Sequence, residues 1–495
     1  MTNATAPVAA APGVLQALRS PRLLTREALA GLVVALALIP EAIAFSIIAG
    51  VDPRVGLFSS CIMAVAIAFL GGRPAMITAA TGAVALVVAP LAPTYGVDYL
   101  IAAILLAGVI QIVLGLLGFP KLMRFVPRSV MVGFVNALAI LIFAAQVPQL
   151  LGVPWLVYPI VAVGLVIMWV LPRITSVVPA PLIAVVALTA AVVVLGWDVP
   201  TVGDQGQLPQ ALPTLFLPDV PLTLETLQIV APYAFGVAVV GLLESLMTAK
   251  LVDDITDTRS SKTRESIGQG AANILSGLFG AMGGCAVVGQ TMINVKASGA
   301  RTRVSTFLAG VFLLLLVLVL GDVVAVIPMA ALVAVMIVVS VGTFDWHSIR
   351  PATLRRMPKS ETIVMLTTVV ATVWTHNLAI GVAGGVLAAT VLFARRVAHL
   401  VTVRRTVDGD LVRYTVDGAL FFASSNDLTT QFAYADDPEH VVIDLSRSHI
   451  WDASTVAALD AVTTKYARYG KRVRIEGLND AASAFHGRLT GMLDG

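Results

Sequence analysis

The chain has 495 residues, 58% hydrophobic and 12% charged, with a mean hydropathy of +0.91. A soluble domain carries about 25% charged residues, so this composition excludes a water-soluble globular protein and predicts a polytopic membrane protein. The net charge of +3 is small and the basic residues gather in loops, which implies no nucleic-acid partner.

The first twenty residues lack the basic and apolar regions of a signal peptide. Residues 1–27 read as a flexible, Ala/Pro-rich cytoplasmic tail. Between 28 and 398, apolar runs begin near Ala28, Val55, Ala75, Val97, Ser129, Trp155, Val177, Ile229, Ser266, Cys285, Val304, Val323, Thr362 and Leu378. They predict fourteen segments, of which the third and tenth are short. Gly71–Pro90 (GGRPAMITAATGAVALVVAP) and Gly283–Arg303 (GGCAVVGQTMINVKASGARTR) are punctuated by glycine. A full span of about 30 Å needs about 20 apolar residues. Backbone that is not helical survives at membrane depth only where protein or a water-filled cavity surrounds it. Two interrupted segments at matching places in two halves point to a transporter site.

Charge placement orients the chain. With the N-terminus inside, clusters such as Arg19/Arg22/Arg26, Lys121/Arg124/Arg128, Lys250/Arg259/Lys262/Arg264 and Arg350/Arg355/Arg356/Lys359 all fall on the cytoplasmic side. The outer loop Trp197–Gln228 holds Asp198, Asp204, Asp219 and Glu225 without a basic residue, and only Arg54 disagrees. An even number of crossings divides into seven plus seven, 28–228 and 229–398, with the second repeat inverted. Glu41 and Glu244 then stand at corresponding places in segments one and eight. Cys61 and Cys285 lie in apolar segments, with neither a disulfide framework nor metal-ligand spacing.

Beyond Arg405 charged residues become frequent. Strand-like LVRYTV and ALFFAS, a helix from Asn426, the buried-strand run VVIDLS, a helix Ser454–Tyr469, RVRIEGL and a short final helix predict a cytoplasmic α/β domain over 399–495.

Three stretches carry a resemblance. IPEAIAFSIIAGVDPRVGLFSS (Ile39–Ser60) resembles the signature of the SulP anion transporters, the sulfate permease and solute-carrier anion exchanger family. INVKASGARTR (Ile293–Arg303) is similar to that family's second block, and VVIDLS with WDAST (Trp451–Thr455) resembles its STAS domain. The resemblance implies a seven-plus-seven inverted repeat with a mobile core and a gate. It places the anion between the N-terminal ends of half-helices three and ten, where free N–H groups and a partial positive charge favour it. It also implies a homodimer in the inner membrane. The chain departs from the family in carrying Glu41 where an amide is common. It has Gln290 and Thr291 where an arginine and a hydroxyl residue are common, so a site cation is missing.

Each candidate has two readings. An unpaired charge at the depth of Glu41 and Glu244 costs several kcal/mol. These carboxyls either bind a coupling proton (or share a sodium ion), or stay neutral and hold helices together. Thr78, Thr81 and Gly82, with Gln290, Thr291 and Asn294, either ligate the anion or cap the half-helices. Phe45 lines the cavity or packs. Lys296, Arg301 and Arg303 read as membrane anchors and His376 as an interface residue. Among Asp444, Ser446, Asp452 and Ser454, Ser454 reads as a helix N-cap, with phosphorylation as the alternative. No nucleophile–base pair, metal cluster or cofactor motif supports an enzyme.

The expectation is a secondary transporter of a small anion, a C4-dicarboxylate, sulfate or bicarbonate, in symport with protons. Sodium-coupled bicarbonate uptake, an anion channel and a nucleobase permease are the rivals. A regulatory protein partner is possible at the STAS-like domain.

Overall fold

The structure is a computed structural model that describes residues 13–122, 126–174, 180–398, 401–422 and 428–478, with residues 483, 487 and 488. It divides into two compact units after Val386.

The stretch read as a flexible tail contains a helix, α1 (Val14–Arg19), whose Ala17 is buried. Helix α2 (Pro21–Ile48) begins well before the expected Ala28, because Pro21 occupies a first-turn position where its missing N–H is not needed. There follow α3 (Pro53–Leu70), β1 (Thr78–Ala79), α4 (Gly82–Val88), α5 (Leu91–Tyr95), α6 (Val97–Leu116), α7 (Phe119–Leu122), α8 (Arg128–Ala144), α9 (Val157–Ile174) and α10 (Ala180–Leu195). The second half runs α11 (Leu224–Thr256), α12 (Lys262–Leu278), β2 (Cys285–Ala286) and α13 (Val288–Met292), continued by a π-helical turn over Ile293–Ala297. Then come α14 (Arg303–Val319), α15 (Gly321–Ala325), α16 (Met329–Thr343), α17 (Pro351–Arg356), α18 (Lys359–Thr375) and α19 (Leu378–Ala398).

Each expected segment contains a helix, and the third and tenth are a short strand followed by a short helix. Segment twelve starts later than Val323. Pro328 has no N–H to continue a helix, and the outer loop bridges there, with Val202 N–H donating to Ile327 and Met329 N–H to Pro200.

The two halves interlock. Helix α6 packs on α11 and α12, and α14 packs on α2 and α3. The α6–α12 crossing is a backbone contact: a Cβ on Gly270 would lie 2.5 Å from the Gly108 carbonyl oxygen. Small residues at such crossings let helices approach where no hydrophobic force separates lipid from protein. A second group is formed by α8, α9, α10, α16 and α18.

In the second unit, β3 (Thr402–Asp408), β4 (Leu411–Leu420), β5 (His440–Ile450) and β6 (Arg472–Glu476) form one sheet in the order β3-β4-β5-β6. The first pair is antiparallel and the other two parallel, with helix α20 (Ala453–Arg468) as the crossover from β5 to β6. LVRYTV and the start of ALFFAS are one strand with an irregularity between Thr415 and Asp417, not two strands. Strand β3 was not expected, because its polar, mostly exposed side chains lack the alternation of a half-buried strand. The expected helix start at Asn426 lies outside the described residues, as does most of the final helix.

Candidate functional site

Strands β1 and β2 meet as an antiparallel pair, Thr78 opposite Ala286 and Ala79 opposite Cys285. Extended backbone at this depth must have every polar group paired inside the protein. The pairing is completed by side chains from helices. Ser60 Oγ accepts from Ala80 N–H (3.2 Å), Ser245 Oγ from Ala286 N–H (3.1 Å) and Thr291 Oγ1 from Ile77 N–H (3.0 Å). Asn273 clasps Gly284 from both sides, its Oδ1 accepting from the N–H (2.8 Å) and its Nδ2 donating to the carbonyl (3.1 Å). Gly284 is required: a Cβ there would overlap the Ala79 carbonyl.

Both membrane carboxyls reach this seam. Glu244, buried on α11, accepts from the Cys285 thiol at 2.9 Å, and the same sulfur lies 3.1 Å from Thr81 Oγ1. Half-buried Glu41 on α2 faces the Gln290 side chain. Neither carboxyl has a cation partner among the described residues. Four residues along the same face of α2, Phe45 reaches the other half-helix: a Cβ on Gly82 would lie 2.9 Å from its ring and 3.0 Å from Ile142 Cδ1 on α8.

The structure thus gathers Glu41, Phe45, Thr81, Gly82, Glu244 and Gln290 around the starts of α4 and α13. Thr81 is the N-cap of α4, accepting from Val84 N–H at 3.4 Å. Gln290 is buried with its amide oxygen unpartnered. Three candidates are engaged elsewhere. Thr78 accepts from Gln269 at 2.9 Å, Thr291 is tied to Ile77, and Asn294 donates to Ala75 (2.8 Å) and Ser305 (2.9 Å) from within the π turn.

Polar residues of α12 were missed. Glu265, Gln269 and Asn273 recur every fourth residue with Ser276 beyond them, all buried. That periodic polar stripe in an apolar setting marks the face that holds the broken segments. Glu265 accepts from Gly72 and Arg73 N–H (2.7 and 2.9 Å), and Glu27 accepts from Arg301 and Thr302 N–H (2.9 and 3.2 Å) just before α14, whose N-cap is Thr302. Arg303, read as an anchor, donates to Ala68 (3.1 Å) and Gly71 (2.6 Å) at the end of α3. An apolar cavity of about 480 Å³ lies apart from this seam, lined by Cys61, Val65, Phe69, Leu275, Val311 and Leu314. Without polar groups to replace water, it suits no bare anion.

In the second unit, Asp437 is buried between Arg405 (2.8 Å), the Tyr414 hydroxyl (2.6 Å) and the Tyr466 hydroxyl. Burial pushes its pKa up, but the two hydroxyls and the arginine outweigh that and hold it below the ordinary carboxylate value. The N-cap of α20 is Asp452, accepting from Thr455 N–H at 3.1 Å, and not Ser454. Asp452 also takes Phe422 N–H (2.6 Å), which draws it into the capping position and leaves Ser454 exposed in the first turn. Asp444 accepts from Ser446 N–H at 3.0 Å, and His376 is an exposed left-handed cap after α18.

Residues 24–163 and 154–368 match the sulfate permease family, and 402–486 match the STAS domain. A putative sulfate transporter, YbaR of Bacillus subtilis (strain 168), is 52% identical over 93% of this chain and 95% of its own length. The transmembrane domain of the cyanobacterial bicarbonate transporter BicA is 25% identical over 75% of this chain and 98% of that one, with a TM-score of 0.65. The murine anion transporter Slc26a9 in its inward-facing state has the same fold over 95% of this chain and 88% of its own, with a TM-score of 0.81 at 18% identity. Paired half-helices, a multi-pass membrane region and a following α/β sheet agree with these matches: the chain belongs to the sulfate permease family of anion transporters, which are not enzymes, and carries a STAS domain.

Proposed function

We propose that the protein moves a small anion, sulfate or a C4-dicarboxylate such as fumarate, in symport with protons by alternating access at the seam between α4 and α13. One observation carries the reading. Glu244 and Glu41 face the seam with Cys285 and Gln290 as partners and no cation among the described residues. Two ionised carboxylates would repel a dianion there, and protonating them removes the repulsion, so anion and proton bind best together. Co-transported protons also offset the inside-negative potential, which opposes anion entry by about 2.3 kcal/mol per charge per 100 mV.

The start of α13 supplies donors: its first N–H groups lack helical acceptors and no side chain caps them. The 52% identity to a putative sulfate transporter favours a tetrahedral oxyanion. Likeness to a bicarbonate transporter supports a second reading, bicarbonate uptake with sodium at the same carboxylates. Basic loops favour the inner membrane with both termini cytoplasmic, and a homodimer follows from the family resemblance.

The test is transport by purified protein in liposomes that contain a pH-sensitive dye. Fumarate, sulfate, bicarbonate (with a tracer control) and uracil are added singly without sodium, for wild type and Glu244→Gln. Luminal acidification with sulfate or fumarate, lost in Glu244→Gln, is expected. Tracer uptake that appears only once sodium is supplied would overturn proton coupling.

A further inference from the structure

We infer that Cys285 is a positioning residue that relays the protonation state of Glu244 to the hydroxyl of Thr81, so that Thr81 offers its hydrogen to the anion only when Glu244 is protonated. This deepens the proton-coupled reading above and rests on it.

The three groups form a line from α11 through β2 to the start of α4: Glu244 Oε2, Cys285 Sγ at 2.9 Å, then Thr81 Oγ1 at 3.1 Å. All three residues are buried, so the order of donors and acceptors along the line is set mainly by these groups themselves. A thiol and a hydroxyl each carry one hydrogen. With Glu244 ionised, the carboxylate can only accept, so the Cys285 S–H points to it. The Thr81 O–H then points to sulfur, while the Thr81 oxygen accepts from Val84 N–H. An anion at the seam finds no hydrogen on Thr81.

With Glu244 protonated on the oxygen facing Cys285, the line reverses. The carboxyl O–H donates to sulfur, the S–H donates to Thr81 Oγ1, and the Thr81 hydrogen is released toward the seam. That oxygen has two lone pairs, enough for Val84 N–H and the thiol together. No covalent bond is made or broken along the line. The thiol and hydroxyl rotate, and the one added proton stays on Glu244. Among the described residues Cys285 is the titratable group that acts on Glu244. Helices α4, α6, α12 and α13, which also pack on α11, present none that does.

Neutralising Glu244 also helps an anion directly, by removing a like charge, so loss of pH dependence alone would not isolate the relay. The coupling between residues 81 and 285 does. Binding of radiolabelled fumarate and, in parallel, sulfate to full-length protein is measured on both sides of the pH midpoint of wild-type binding. The variants are Cys285→Ala, Thr81→Val, the double variant and Cys285→Ser, each checked for unchanged thermal unfolding.

A net hydrogen bond is worth about tenfold in affinity. Thr81→Val therefore loses about tenfold at acidic pH and stays within about twofold of wild type at alkaline pH, where the bond is absent. Cys285→Ala leaves the Thr81 hydrogen without its sulfur acceptor, so it keeps the acidic affinity and gains about tenfold at alkaline pH. The double variant lacks the hydrogen altogether and falls about tenfold below Cys285→Ala at both pH values. Cys285→Ser, which keeps one hydrogen at that place, retains the wild-type pattern. An alkaline affinity of Cys285→Ala no higher than wild type, or a Thr81→Val loss that is equal at both pH values, would overturn the relay while leaving proton coupling intact. Wild-type affinity that does not change with pH would overturn the proton-coupled reading itself, and the relay with it.

Discussion

The two half-helices start in the same seam but finish their ends differently. At α4, Thr81 caps the first turn, and Phe45 and Ile142 close over Gly82. At α13 no side chain caps the start, Val288 is 36% exposed, and a Cβ on Gly289 would meet nothing within 4 Å. The buried amide oxygen of Gln290 just beyond has no partner. A side-chain cap meets one of the first N–H groups of α4, whereas those of α13 are met by no side chain and stand beside open space, where free helix N–H groups favour an anion. In the proposed site α4 contributes the Thr81 hydroxyl and α13 its backbone N–H groups. Their common scaffold is the β1–β2 pair, which belongs to neither half alone.

Breaking that scaffold has the largest expected effect. Gly284→Ala drives a methyl into the Ala79 carbonyl, backbone against backbone. Overpacking with no flexible side chain to yield costs about 3 kcal/mol or more. Expression, or monodispersity after solubilisation, collapses for both ends together, and a stable, active Gly284→Ala protein would contradict the pairing.

A carboxyl with a full set of partners calibrates the two that lack a cation. Asp437→Asn removes a buried charge shared by Arg405, Tyr414 and Tyr466, at a cost of about 2–4 kcal/mol near neutral pH. The native pKa of Asp437 is depressed. Its stabilisation is therefore fully present above the unfolded value of about 3.9 and is lost as pH falls through the lower native value. Hydrogen exchange of the β4 and α20 peptides in the full chain should show a gap between variant and wild type at neutral pH that closes in acid. A gap that widens in acid would have the wrong sign.

Smaller effects compare the two ends directly. Gly82→Ala must push aside the Phe45 ring and Ile142, side chains that can shift, and costs about 1–3 kcal/mol in thermal unfolding. Gly289→Ala enters open space, so its stability should match wild type to within about 0.5 kcal/mol or rise slightly from the lower chain entropy of alanine. Its anion affinity should fall on the proposed reading, because the methyl occupies the open space in front of α13. Equal stability losses from the two substitutions would erase the contrast between the ends.

Residue order and periodicity, without coordinates, determined a good deal. Apolar run lengths and loop charge decide that the chain crosses a membrane many times, since burial in hydrocarbon tolerates little else. Glycine and polar residues within Gly71–Pro90 and Gly283–Arg303 mark the broken segments, and Glu41 and Glu244 stand out because charge at that depth is costly. The buried-strand run VVIDLS announces the sheet of the second unit, while exposed β3 leaves no such trace.

Tertiary structure alone decided which polar groups meet. Cys285 looked inert as a lone thiol in an apolar run, and only the β1–β2 register sets its sulfur between Glu244 and Thr81. Thr78, Thr81, Thr291 and Asn294 are alike by sequence. Their partners lie roughly two hundred residues away in most cases, and those partners settle that one caps a half-helix while the others tie strands and turns. The open start of α13 and the closed start of α4 differ by the same cause. Local sequence dictates that a helix begins, but long-range packing determines what stands in front of it.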